Sequence, residues 1–63
     1  MTNLATDLLP AYLHRLLVDL DILNNELAVM AGVSVRTVYR WLGGTTPVPR
    51  SVVAMLELLK AKP

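Results

Sequence analysis

Arg36 and Arg40 stand four residues apart in the run VRTVYRWL, with Tyr39 between them and Val35 and Thr37 flanking Arg36. If that run is helical, about 3.6 residues per turn stack both guanidiniums on one face, each about 160° from Val38. A guanidinium so placed can fork onto guanine O6 and N7 or hold a phosphate, and a methyl group can meet the thymine methyl. Tyr39, at the edge of that face, adds a ring and a hydroxyl. Reaction chemistry has less to work with. The chain has no cysteine and a single histidine, His14. His14 falls with Arg15 on the side of its helix away from the leucines, where a solvated residue is expected. One histidine cannot complete a metal site, and phosphate-loop and dinucleotide fingerprints are absent. The expectation is a non-enzymatic chain with no cofactor, no metal and no small-molecule ligand.

Something must hold those arginines in place. The stretch Asn24 to Gly43, NNELAVMAGVSVRTVYRWLG, reads as helix, tight turn, helix. Asn24 or Asn25 can cap the first helix through an amide oxygen, and Leu27, Ala28 and Ala31 recur on one face. Gly32 sits at the reversal, where positive φ is favoured. Ser34 can cap the second helix, whose Val38, Trp41 and Leu42 turn back towards the first. That pattern assigns Trp41 to the core rather than to base stacking.

The pattern Leu27-Ala28, Gly32-Val33-Ser34, Thr37-Val38 and Trp41 resembles the helix-turn-helix of the lambda-repressor and Cro family, the XRE-like proteins. The resemblance spans 20 of 63 residues, and the family's outer helices can be laid over most of the rest. It implies an all-α, compact four-helix domain over 1–63, with helices at about 7–20, 24–31, 34–42 and 49–61. It also implies double-stranded DNA as partner, two copies bound as a homodimer on a palindrome, and helix 34–42 in the major groove. The residues assigned to DNA are Asn24, Asn25, Ser34, Val35, Arg36, Thr37, Tyr39, Arg40, Thr45 and Arg50. Family members often open the motif with a phosphate-clamping glutamine after a capping Thr or Ser. Here Leu23 precedes Asn24 and cannot cap, so Asn24 is expected as the cap and Asn25 as the nearer phosphate ligand. More loosely, Pro10-Ala11-Tyr12-Leu13 and Pro47-Val48-Pro49 around the motif resemble the small phage regulators encoded beside anti-CRISPR genes.

The remaining segments fit around the motif. Thr6 or Asp7 can cap a first helix that tolerates Pro10 in its opening turn. Leu9, Leu13, Leu16, Leu17 and Leu20 then form a core stripe bordered by Tyr12. Asp19 to Asn24 reads as a short solvated connection. After the motif, Gly43-Gly44-Thr45-Thr46-Pro47-Val48-Pro49 excludes regular helix. In this loop family members carry asparagine and a basic residue. Phosphate contacts here would therefore come from backbone N–H groups, Thr45, Thr46 or Arg50. In the last helix, Val52, Met55, Leu56 and Leu59 face the core, while Ala54 and Leu58 fall outside that stripe. Ala54, Met55 and Leu58 are the residues assigned to a dimer contact.

Sixty-three residues allow one domain with a small core. A hydrophobic content of 54% and mean hydropathy of +0.49 are high for that size, which favours a partner surface. The start carries no signal peptide and no window is long and apolar enough to span a membrane, so the cytoplasm is expected. The net charge of +1 decides nothing, but its distribution does. No acid lies between Leu27 and Leu56, where Arg36, Arg40 and Arg50 all fall. The competing reading is a helical protein-interaction module, an inhibitor or antitoxin-like partner, with the same face turned to protein.

Overall fold

The computed structural model describes residues 10–61, all of whose regular structure is helical. Four helices follow one another: α1 (Pro10–Leu20), α2 (Asn24–Ala31), α3 (Val35–Leu42) and α4 (Arg50–Ala61). The expected four-helix domain is what forms. The expected residues 7–9 of the first helix, the caps Thr6 and Asp7, and Leu9 lie outside the described residues. Ser34 and Pro49 stand one residue ahead of the helices that were expected to include them.

Each of the three reversals ends its helix in the same way. Asp21, Gly32 and Gly44 adopt left-handed backbone, with φ of 57°, 72° and 79°. In each case that residue and its successor donate back into the last turn. Asp21 N–H reaches Val18 O at 3.1 Å and Ile22 N–H reaches Leu17 O at 2.9 Å. Gly32 and Val33 repeat the pattern onto Val29 O and Ala28 O at 3.2 and 3.0 Å, and Gly44 and Thr45 onto Trp41 O and Arg40 O at 3.2 and 3.0 Å. Carbonyls that a helix end leaves orphaned are thus satisfied by the chain that leaves it. Ile22 and Val33, the residues after the first two turns, pack against the core and fix the exit direction.

The core draws on every helix. Leu13, Leu16 and Leu17 come from α1, Leu27 and Ala28 from α2, Val38 and Trp41 from α3, and Val52, Val53 and Leu56 from α4. Val48 completes it from the connection before α4 and is buried between two exposed prolines. Among the described residues no polar or charged side chain is buried. Each fully buried leucine or valine contributes about 1.5–3 kcal/mol of transfer free energy, and this apolar sum holds the helices together. Two polar contacts tie α1 to α4 outside the core. Tyr12 Oη donates to Glu57 Oε2 at 2.6 Å, and Lys60 Nζ donates to Asp19 Oδ2 at 2.8 Å. Asp19 therefore belongs to the last turn of α1, not to a solvated connection. No helix among the described residues is long and apolar enough to cross a membrane.

Candidate functional site

Of the four helices, α3 is the most sharply divided into an apolar and a polar side. Val38 and Trp41 are buried against α1 and α2, with Trp41 only 3% exposed. That anchoring leaves Arg36, Tyr39 and Arg40 on the outside. The two guanidiniums are one turn apart on a helix that cannot roll without unburying a tryptophan. Among the described residues neither is drawn into an ion pair.

The start of α3 is locked as the sequence predicts. Ser34 has extended backbone, and its Oγ accepts the N–H of Thr37 at 3.3 Å. The same hydroxyl lies 3.2 Å from Thr37 Oγ1. Ser34 and Thr37 thus share a hydroxyl pair at the opening of α3, while Ser34 remains exposed. Val35 departs from expectation. It is half-buried and packs against the core, so its methyls are partly spent on folding rather than offered outward.

The opening of α2 also differs. The capping position is taken by Leu23, with φ −80° and ψ 158°, and no side chain caps the helix. Neither Asn24 nor Asn25 is the cap, because both already lie inside the helix as its first two residues. In place of an amide cap, Glu26 Oε1 accepts the N–H of Leu23 at 2.8 Å. This is the carboxylate half of a capping box, built without the hydroxyl half that leucine lacks. Asn24 is consequently relieved of capping, and both amides stand where a helix N-terminus favours anions.

The loop after α3 holds a second correction. Backbone N–H groups of this loop are one of the expected sources of phosphate contact, beside Thr45, Thr46 and Arg50. The four from Gly43 to Thr46 are turned inward instead: Gly43 donates to Tyr39 O, Gly44 to Trp41 O, and Thr45 and Thr46 both to Arg40 O. Beyond these four, the loop has the Val48 N–H and its side chains to offer. Thr45 is exposed and its backbone is joined to Arg40, so it extends the face of α3. Arg50 is exposed at the first position of α4.

The structure therefore brings Ser34, Arg36, Thr37, Tyr39, Arg40 and Thr45 onto one helix and its end. Asn24 and Asn25 stand on α2, which packs against α3, and Arg50 opens a separate helix. Of the dimer residues, Ala54 and Leu58 are exposed on α4, while Met55 is half-buried against the core. His14 is exposed, as expected.

No protein-family model, no curated protein and no solved structure matches this chain. Function must then be argued from the geometry of its own residues. One feature of that geometry escaped the sequence reading. Val18, Leu23, Val29 and Met30 are exposed apolar side chains around the α1–α2 corner. The available signal was VM at the end of α2, two apolar residues off the Leu27-Ala28-Ala31 face.

Proposed function

We propose that this chain is a sequence-specific double-stranded DNA-binding regulator, acting in the cytoplasm without catalysis or cofactor. In this reading α3 enters the major groove. Arg36 and Arg40 read guanine edges or hold phosphates, Tyr39 and Thr37 flank them, and Ser34, Asn24, Asn25, Thr45 and Arg50 contact the backbone. One observation carries the proposal: two outward guanidiniums one turn apart, on a short helix fixed by Trp41 and capped by Ser34. Positioned donors of this kind are what base readout requires, since phosphate contacts orient and base contacts specify.

A single eight-residue recognition helix reads few base pairs, and pairing two copies doubles the site. The groove along α4 lined by Ala54, Met55, Leu58 and Leu59 is uncharged, and a second copy is the occupant this reading assigns to it. A homodimer would place two α3 helices about 34 Å apart on a palindromic operator, and as a repressor it would respond to its own concentration.

Selection of duplexes from a random pool tests the proposal. The expected result is enrichment of a two-fold symmetric site whose half-sites are one helical turn apart, lost with Arg36→Ala/Arg40→Ala. No enrichment by a folded protein would overturn it. The inward-turned N–H groups of residues 43–46 and the exposed apolar corner favour a second reading, a protein-interaction module that does not bind DNA.

A further inference from the structure

Outside the Arg36–Arg40 face, the α1–α2 corner carries an exposed apolar surface. Around it Val29 is 82% exposed, Val18 63%, Leu23 62% and Met30 41%. These side chains edge two adjoining shallow grooves that share Asp21 and Ile22. Of the four helices, α2 has the weakest division into apolar and polar sides, because Val29 and Met30 lie opposite its buried Leu27 and Ala28. Nothing in the fold needs them there.

The charge around these residues decides what could cover them. Asp21 lines both grooves, Glu26 lines one and His14 the other, and no lysine or arginine lines either, Arg15 lying with Val18 and Asp19 along the neighbouring groove of α1. Glu26 holds the Leu23 N–H with Oε1 alone, and its other oxygen has no partner among the described residues. Asp19, by contrast, is already neutralised by Lys60. Two copies joined through this corner would gather four carboxylates into one contact, whereas the uncharged groove of α4 carries no such cost. The complement of an acidic rim around aliphatic anchors is a basic one.

We propose that this corner is a docking site for a cationic amphipathic helix of another protein. That helix would lay apolar side chains spaced i, i+3, i+4 and i+7 between Val18, Leu23 and Val29. Its lysines or arginines would meet Asp21 and Glu26, giving charge-assisted pairing at the rim and apolar burial at the centre. The surface lies away from Arg36 and Arg40 in chain position, and it adjoins the proposed phosphate contacts through Asn24 and Asn25, which line its grooves.

The test uses the full chain labelled with ¹⁵N and two designed helical peptides, identical except that one has lysine and the other glutamate at every polar position. The leucine–lysine peptide should shift the amides of residues 18–30 while leaving α4 unmoved. Binding should weaken at least fivefold in Asp21→Asn/Glu26→Gln, a pair that keeps the left-handed residue and the capping acceptor. Val29→Ser, which alters only an exposed side chain, should weaken it by a similar factor, and Arg36→Ala/Arg40→Ala should leave it unchanged. Equal binding of both peptides would overturn the proposal. So would shifts centred on α4, insensitivity to Val29→Ser, or no binding.

Discussion

The backbone carbonyl of Arg40 accepts the N–H of Thr45 at 3.0 Å and that of Thr46 at 3.3 Å. Arg40 and the loop behind it are therefore one hydrogen-bonded unit. Rotating α3 would break this closure as well as the Trp41 contact, so the guanidinium faces of Arg36 and Arg40 have a fixed bearing on the fold. The N–H groups of Gly43 to Thr46 are all turned into this helix end.

That closure depends on Gly44 at φ +79°, as the α2–α3 turn depends on Gly32 at φ +72°. Gly32→Ala should cost about 1–2 kcal/mol from left-handed strain alone, since its added methyl would meet nothing within 4 Å. Urea denaturation reads the change directly. A neutral Gly32→Ala would mean that the turn does not hold its left-handed residue.

Asp21 occupies the same conformation without being glycine. Asp21→Gly should stabilise the domain by about 0.5–1 kcal/mol through relief of that strain. A loss of stability would show that the aspartate side chain makes a contact worth more than the strain.

Trp41→Ala removes the largest side chain of the core and should cost about 3–5 kcal/mol. For a domain of this size that is most of its stability, so circular dichroism at 25 °C should show a largely unfolded chain. A cooperative, folded Trp41→Ala protein would contradict the anchoring of α3.

Asp19 makes a pH-linked contact. The hydrogen bond from Lys60 holds its carboxyl below the ordinary value of 3.8, with the Lys60 and Arg15 charges adding to the effect and desolvation opposing it. A lowered native pKa means stability that is present above the unfolded value and lost as pH falls through the native one. Asp19→Asn should therefore lower Tm slightly near neutrality, and the difference should close in acid below the native pKa of Asp19. An unchanging gap across that range would show that the charge is not what matters.

Much of this architecture was legible from particular residues. Gly32, Ser34 and the Val38/Trp41 pair each have a local reason for their place, and local reasons survive folding. Leucine spacing placed α1 for the same cause. Val48 was hidden because prolines on both sides marked it as loop, and only tertiary contact buries it. Asn24 differs from expectation because capping propensity ranks asparagine above leucine, while the bond from the Leu23 N–H to Glu26, three residues after Leu23, sets the helix start at leucine. The loop N–H groups could not be read at all, since whether they face outward depends on the left-handed turn at Gly44.

If the Arg36–Arg40 face binds DNA as proposed, its binding must respond to salt. Fluorescence anisotropy would follow a labelled duplex from upstream of the protein's own gene, against a scrambled duplex, from low to high salt. The account predicts tight binding to the upstream duplex that falls steeply with salt, about 0.9 in log–log slope for each phosphate contacted. Arg40→Ala, still folded, should weaken that binding and flatten the slope if its contact is to phosphate. Absence of binding at the lowest salt, or a folded Arg40→Ala protein with an unchanged curve, would contradict it.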